Sequence, residues 1–518
     1  MKNTAQLWVL TLIIFLIPNN FFAQSESDQL LQNIPKDSLT FVVYGNTANM
    51  PEEVKEKLHE SLPEVCKGIT DESEKFCIYS HKHELYDAYT LKFNLDQNKT
   101  QLNPDSLLNL FGFTVKDLQL PFIKLDGGNF KKGLFYINNS DFVLRIYTQI
   151  LPVDEQVKAE YKKLSEDLKF ANYDERNILW ERIDSLMKKD SIPSAQFFDH
   201  LLEKEKSTIA SSIKTETLDF QSVFNTDISK SAALLYLNAK KIREIPFHIY
   251  NIFKTDIHDI NDLTTKIAGF SGYYEDIWVN IKTQEEKLNI TTIASLPKKQ
   301  KLHHNLDKEL CLYLPAQETN GICIFNMEPA ALKNSLIEYF NYPDYNEKKQ
   351  LSSKLAIWAL DDDVLNSMGN GFITLLDDHI DKRHIPDFKM ALKMKNKESG
   401  RQLLSILAND AKAISKIKDN CYLVTYEELY EKKKVHLVID DDIWILGTQS
   451  VDELKTRINT DQFNDLYPQL NNKSISQYLY IDPEILSSSR TDLEFIESKT
   501  NFIGKNLVKT ETSLIIND

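Results

Sequence analysis

Short apolar runs that end in Asn or Asp recur along the chain, and residues with a helical spacing of apolar positions follow each of them. A run of strand length bounded by a residue that caps helices is typical of a strand that leads directly into a helix. The pattern therefore predicts four strand-to-helix steps. Their apolar runs lie at residues 38–44, 232–237, 321–325 and, more faintly, 478–481.

Antiparallel hairpins are predicted after the second and third of these steps. Residues 273–281 and 288–296 are joined by a polar turn, and so are residues 372–378 and 388–395. Apolar and polar residues alternate in these stretches, as half-buried antiparallel strands require. The two copies have the pattern of one unit used twice, and the first 150 residues fit the same plan more loosely.

A helical segment separates the first unit from the second. Residues 153–211 contain almost no turn-forming residues, carry many charges and space their apolar positions with a helical period. We predict two long helices here, packed through one face on the rest of the protein as an insertion at 151–225. From Asn420 onward the alternation returns and predicts a mainly antiparallel ending.

These elements together predict an α+β fold of repeated strand–helix–antiparallel hairpin units with a long helical insertion. Whether the units pack as separate domains or as one body is open at this stage. The expected divisions are a signal peptide at 1–23, a first α+β unit at 31–150, the insertion at 151–225, a second unit at 226–305, and a third unit with a C-terminal antiparallel extension at 306–518.

The start of the chain has the pattern of an export signal. Lys2 precedes an apolar run at 7–17 in which only Thr11 is polar, and Pro18 breaks the run before Ala23. Such a run is too short to span a bilayer and has the length of a secretory signal. We predict cleavage after Ala23 and an extracytoplasmic mature protein, which is periplasmic, associated with the outer envelope or secreted. The alternative is an uncleaved N-terminal anchor.

Composition excludes some classes of partner. The chain has 61 Lys and Arg against 76 Asp and Glu, a net charge of −15, and no basic stripe. A phosphate backbone repels such a surface, so nucleic acid is not an expected partner. No second long apolar run follows the first, and we expect no transmembrane segment in the mature chain.

Five cysteines leave the redox state open. Their number is odd and their spacing irregular, so they do not form a disulfide framework. Cys66 with Cys77, and Cys311 with Cys323, are close enough in sequence to bridge in an oxidising compartment. Buried free thiols are the other reading of these four residues and of Cys421, and the apolar surroundings of Cys311 and Cys323 favour it.

Three short sequence segments resemble those of a known group of proteins. Residues 34–43 (IPKDSLTFVV), 312–316 (LYLPA) and 325–333 (FNMEPAALK) resemble a group of bacterial envelope proteins of unknown function. Members of that group enter an apolar strand from a Pro-Lys-Asp or Pro-Ala-Asp step and repeat an Asn-headed helix after it. Many of them resemble lipoproteins, but this chain has no Cys after its apolar run. The resemblance implies export and a repeated fold, and it implies no activity.

One cluster has several metal-ligand types together. Asp377, Asp378, His379, Asp381 and His384 fall within eight residues, in the connection of a predicted hairpin. Loop carboxylates and imidazoles of this kind can converge on a divalent ion as a weak, exchangeable site. A solvated acidic turn explains the same residues without any ion.

Catalytic motifs are incomplete throughout. Residues 83–87 (HELYD) resemble the start of the zinc-protease helix motif but have Asp87 where the second His is required. Ser185 and Lys188 have the Ser-x-x-Lys spacing without its companion motifs, and the Gly-rich segment 128–133 lacks the Lys of a phosphate loop. We therefore assign no catalytic residue and no cofactor.

Asp-Ser followed by an aliphatic residue is the remaining surface signal. This pattern is similar to the acceptor of some bacterial O-glycosylation systems, and it is equally an ordinary helix start. The serines concerned are Ser38, Ser106, Ser185 and Ser191.

The sequence as a whole predicts an exported, non-enzymatic envelope protein whose repeated units present a surface to a protein, an envelope component or a ligand. The alternative is an extracytoplasmic hydrolase or metal-dependent enzyme whose residues converge from distant segments, because such sites are recognised by geometry and not by sequence order.

Overall fold

A computed structural model gives the fold, and contacts divide the chain into two units, 1–264 and 265–518. The division of the chain into five segments stays a prediction. The structure describes residues 29–31, 34, 36, 38–50, 75–94, 114–119, 122–126, 131–138, 141–149, 151–168, 173–211, 218–238, 241, 275–284, 287–296, 307–316, 319–326, 368–376, 387–398, 400–402, 404, 414–428, 431–471, 475–482, 493–504 and 507–516.

The first unit contains eight described strands, all paired antiparallel. Their order across the sheet is β4-β5-β6-β7-β3-β2-β1-β8. The strands are β1 (Leu39–Asn46), β2 (Lys75–Lys82), β3 (Tyr86–Asn94), β4 (Thr114–Gln119), β5 (Phe122–Asp126), β6 (Lys131–Asn138), β7 (Asp141–Gln149) and β8 (Ala233–Asn238).

The second unit contains twelve described strands, again antiparallel, in the order β9-β10-β20-β19-β18-β11-β12-β13-β17-β16-β15-β14. The strands are β9 (Asp276–Gln284), β10 (Lys287–Ser295), β11 (Gly321–Asn326), β12 (Met368–Leu376), β13 (Phe388–Met394), β14 (Ile414–Lys418), β15 (Cys421–Glu428), β16 (Glu431–Asp440), β17 (Ile443–Gly447), β18 (Ile475–Ile481), β19 (Leu493–Gly504) and β20 (Leu507–Ile516).

The described helices are few and mostly short, and the three longest lie between β7 and β8. Short 3-10 turns occur at Gln29–Leu31, Thr47–Asn49 and Pro468–Asn471. The α-helices are α1 (Glu155–Asp167), α2 (Tyr173–Lys189), α3 (Ser191–Ser211), α4 (Phe220–Phe224), α5 (Lys308–Cys311), α6 (Val451–Leu454) and α7 (Thr460–Leu466).

The predicted α+β plan of strand–helix–hairpin units is wrong as a fold class, because the described residues form mainly antiparallel β-structure with twenty strands. The pattern underestimated the sheet at β2, β4 and β5. These strands mix charged and apolar side chains, as in KFCIYSHK and TVKDLQ, and do not show a clean alternation. The helices predicted directly after Asn46, Asn238 and Asn326 fall largely outside the described residues.

Eight strands of the second unit repeat the strand order of the first. Its order β14-β15-β16-β17-β13-β12-β11-β18 has the same connectivity as β4-β5-β6-β7-β3-β2-β1-β8. The hairpins β6–β7 and β16–β17 both close across two residues, after Asn138 and after Asp440. Positions in the two units can therefore be matched strand by strand from these turns.

The two faces of the first sheet differ in chemistry, because successive strand residues point to opposite sides. On one face β3 and β7 place residues such as Leu91, Phe93 and Leu144, all 1% exposed or less. On the other face the same strands place Lys92 and Arg145. Helix α3 covers this second face, and a cluster of Tyr136, Tyr147, Phe198, Leu201 and Leu202 joins the two.

The start of α3 is fixed by one buried carboxylate. Asp190 lies between α2 and α3 with none of its surface exposed. It accepts hydrogen bonds from the backbone N–H groups of Val153 and Asp154, at 2.7 and 2.9 Å, and from the Ser194 hydroxyl at 2.6 Å. One side chain thus ties the beginning of α1 to the beginning of α3.

We expect Asp190→Ala to destabilise the first unit by about 3 kcal/mol, because three donors would lose a charged acceptor in a buried position. Chemical denaturation followed by circular dichroism measures the change. Asp184→Ala removes an exposed carboxylate from the preceding helix, α2, and serves as the control. Equal effects of the two substitutions would contradict the role given to Asp190.

Candidate functional site

The candidate site is a group of polar side chains on the covered face of the first sheet. Four residues lie directly opposite one another on neighbouring strands, because Tyr79 pairs with Thr90, Thr90 with Arg145, and Arg145 with Leu134. Lys124 continues the same row on β5. We call this surface the polar face and define it by Tyr79, Lys124, Tyr136, Arg145 and Tyr147.

Two carboxylates of α3 meet the two cations of the polar face. The Arg145 guanidinium donates through Nη1 to Glu205, and the Lys124 ammonium lies 2.6 Å from Glu203. The Arg145 and Glu205 side chains keep 20% and 24% of their surface accessible, whereas Glu203 keeps 58%. The first pair is therefore the more desolvated, yet it is not sealed from solvent.

Three tyrosines surround the guanidinium. Tyr79, Tyr136 and Tyr147 are 1%, 6% and 2% exposed, and all three interact electrostatically with Arg145. Within the described part of the chain, the hydroxyls of Tyr79 and Tyr147 and the Nε–H of Arg145 have no hydrogen bond of ordinary geometry, although the Tyr147 hydroxyl lies close enough to the Arg145 guanidinium to interact with it. Buried polar atoms are nearly always hydrogen-bonded, so this local deficit needs an explanation.

The electrostatics of the cluster keep Arg145 charged and Tyr136 and Tyr147 neutral. Burial alone would lower the pKa of Arg145, but the three tyrosines and Glu205 outweigh it and hold that pKa well above its ordinary value. Burial raises the pKa of Tyr136 to about 12, and it raises the pKa of Tyr147 further, although Arg145 opposes both shifts. At neutral pH the Arg145 guanidinium is therefore a fixed cation beside the neutral hydroxyl groups of Tyr136 and Tyr147.

A ladder of aromatic rings leads from the polar face to the β2–β3 turn. His81 meets Tyr79 edge to face, with ring centroids 5.3 Å apart, and His83 stacks on Tyr86 at 4.4 Å. Partial burial lowers the pKa of His83, and Lys241 and Lys204 add to the effect against the opposing charge of Glu205. Neutral imidazole is thus favoured at this end of the site.

Three matched positions of the second unit are apolar, and a fourth, which corresponds to Thr90, holds the buried Lys389. Counted in both directions from the β16–β17 turn, Gly447 takes the place of Arg145 and Val438 that of Tyr136, and the pairing of Gly447 with Lys389 and of Lys389 with Leu375 puts Leu375 in the place of Tyr79. Leu375 and Val438 are buried, and a Cβ added to Gly447 would meet Leu454 of α6 at 2.6 Å. The same strand order is therefore built in the second unit without the arginine and the two tyrosines, and the cation on this face, Lys389, donates to the Thr456 carbonyl at 3.2 Å.

The second unit has a polar cluster of its own at a different place. Asp440 accepts hydrogen bonds from the Tyr313 hydroxyl, at 2.7 Å, and from Arg457, whose guanidinium also lies 4.6 Å from the Tyr313 ring centre. Burial alone would raise the pKa of Asp440, but these two partners outweigh it and lower that pKa. The side chains of Arg457 and Asp440 are more than a third exposed. Each of the three residues in this cluster contacts the other two.

The metal candidates predicted from sequence, Asp377, Asp378, His379 and His384, lie outside the described residues, so a metal site there stays a prediction. Among the residues that the structure describes, no group of three or more ligand side chains could hold an ion. None of the described helices is long and apolar enough to cross a membrane.

The described cysteines are free thiols. Cys77, Cys311 and Cys421 are buried, and Cys323 is partly buried. Burial raises the pKa of Cys311 to about 12 and that of Cys323 to about 11, which makes both thiols poor nucleophiles. The bridges considered from sequence spacing are not formed. Cys66 lies outside the described residues.

Comparisons with known proteins do not assign the chain. No protein-family model matches it, and no curated protein matches it. Among solved structures, crystal form IV of TP0453 is similar over 41% of this chain and 81% of that chain, at 8% identity and a TM-score of 0.23. Crystal form I of TP0453 covers 51% and 77% at 10% identity, with a TM-score of 0.24. TM-scores of this size carry no argument about fold or function.

Sequence reasoning missed the polar face, although one signal was present. Arg145 is a lone cation inside the otherwise apolar stretch FVLRIY of β7. A charge at such a position is almost never fully buried without a partner. Its partner, Glu205, lies 60 residues further along the chain, and no local pattern links the two.

We expect double-mutant cycles to separate the two ion pairs. Arg145→Met with Glu205→Gln should give a coupling energy of about 2 kcal/mol, because both partners are largely removed from water. Lys124→Met with Glu203→Gln should give about 0.5 kcal/mol, because Glu203 is mostly solvated. Denaturation midpoints of the single and double variants provide both values, and equal couplings would show that Arg145 is not a special position.

Proposed function

We propose that this protein is an exported, non-enzymatic binding protein, and that the polar face of its first unit receives an acidic group of the ligand. The ligand class is a carboxylate or a phosphate ester, carried by an envelope component, a partner protein or a small molecule. The observation that carries this proposal is the difference between the matched positions of the two units.

The fold does not require the polar face. The second unit builds the same strand order with Leu375, Val438 and Gly447 at the positions that correspond to Tyr79, Tyr136 and Arg145. Replacing a buried ion pair by apolar residues of similar volume is often neutral or stabilising. The first unit therefore keeps an arrangement that stability alone does not favour, and ligand recognition accounts for it.

The chemistry of the polar face fits an anion with two or more oxygens. A guanidinium is planar, stays charged and matches carboxylate or phosphate oxygens in pairs. Glu205 engages Nη1 of Arg145, while the Nε–H and the hydroxyls of Tyr79 and Tyr147 have no partner of ordinary geometry among the described residues. A second set of donors is thus available around one fixed positive charge.

Export rests on the N-terminal segment, with its apolar run at 7–17 and the Ala23 junction. We expect the protein purified from its native cell to begin at Gln24, because the signal would be removed during translocation. Mass spectrometry of the N-terminus after cell fractionation tests this. An intact Met1 in the membrane fraction would contradict the predicted cleavage and show that the protein is tethered to the membrane.

We expect phosphate and succinate to raise the melting temperature of the full chain by about 2 °C or more over sodium chloride at the same ionic strength. The selective rise should disappear in Arg145→Met/Glu205→Gln, which removes both charges together. It should persist in Arg457→Met/Asp440→Asn, which removes a comparable arginine–carboxylate pair from a different place in the second unit. A wild-type protein that responds equally to every salt would contradict the proposed site.

A further inference from the structure

Helix α3 carries the two carboxylates that form ion pairs with the cations of the polar face. Glu205 pairs with Arg145, and Glu203 pairs with Lys124. We propose that α3 is a built-in competitor, whose carboxylates stand in for the acidic group of the ligand and which is displaced when the ligand binds. This inference deepens the proposed function and rests on it.

The fit of Glu205 to the site is incomplete. One oxygen of Glu205 accepts from Nη1 of Arg145, and the Nε–H beside it finds no partner of ordinary geometry among the described residues. The buried Tyr79 hydroxyl also has no hydrogen bond of ordinary geometry, and the buried Tyr147 hydroxyl interacts with the Arg145 guanidinium itself. A free carboxylate or phosphate can orient its oxygens to these donors, whereas a carboxylate fixed to a helix cannot.

The attachment of α3 differs between its two ends. At the N-terminal end, Asp190 holds Ser194 and the backbone N–H groups of Val153 and Asp154. Further along the helix, Phe198, Leu201 and Leu202 pack on the sheet, and the two ion pairs follow. Displacement can therefore proceed from the far end while the buried junction at Asp190 stays in place.

Competition of this kind has a measurable consequence. When only a fraction of molecules has the site open, the apparent dissociation constant is the intrinsic one divided by that fraction. Weakening the competitor raises the open fraction and tightens ligand binding without any new contact to the ligand. The tyrosines and Arg145 stay unchanged in such a variant, so the site itself is kept.

The test compares Glu205→Gln with the wild type, with inorganic phosphate and succinate as the probes in isothermal titration. We expect Glu205→Gln to bind both probes about tenfold more tightly, a difference of about 1.4 kcal/mol. Glu181→Gln removes the same charge from an exposed position of α2 and is the control for long-range electrostatics. An equal gain in both variants would exclude the competitor role.

Hydrogen exchange supplies a second readout in the wild type. Backbone amides of the second half of α3, around Glu203 and Glu205, should lose protection when phosphate binds, while the amides next to Asp190 stay protected. Unchanged or increased protection of that half would show that the ligand binds beside α3, and would overturn the inference.

The outcomes separate this inference from the proposed function. If the wild type binds phosphate through Arg145 but Glu205→Gln binds it no more tightly, the anion site is supported and the competitor role of α3 is contradicted. If neither the wild type nor Glu205→Gln binds phosphate or succinate, the proposed anion site itself is contradicted.

Discussion

The ion pair between Arg145 and Glu205 is the point on which the account of the first unit depends. A strand places alternate side chains on opposite faces, so a cation in the middle of β7 must be met on the covered side of the sheet. Helix α3 meets it, and the buried carboxylate of Asp190 sets where that helix begins. Sheet register and helix position are therefore coupled through a few charged groups.

The second unit acts as an internal reference for this interpretation. It shares the strand order of the first unit, and its matched positions carry Leu375, Val438 and Gly447 in place of two tyrosines and the arginine. In its own polar cluster, both Tyr313 and Arg457 donate hydrogen bonds to Asp440. The contrast indicates that buried hydroxyls without a hydrogen bond of ordinary geometry, as found near Arg145, are a property of the first unit and not of the shared strand order.

Sequence pattern predicted several individual strands, because clean alternation marks β9 and continuous apolar runs mark β8 and β11. It failed for the fold class. Strands such as β2 mix Lys75, His81 and apolar residues, and only their pairing with β1 and β3 makes them strands. The polar face was beyond prediction for a similar reason: its residues lie on four strands that the antiparallel register brings together, and their carboxylate partners lie on a helix distant in sequence.

The central claim is that Arg145 is a ligand-binding residue and not merely a link between sheet and helix. The most direct test is nuclear magnetic resonance of the arginine Nε–H groups in a deuterated, arginine-labelled sample titrated with phosphate, with the Arg145 signal assigned by substitution. We expect the Arg145 Nε–H signal to shift and to become protected as phosphate is added, while that of Arg457 changes little. An Arg145 signal that stays unchanged up to saturating phosphate would contradict it.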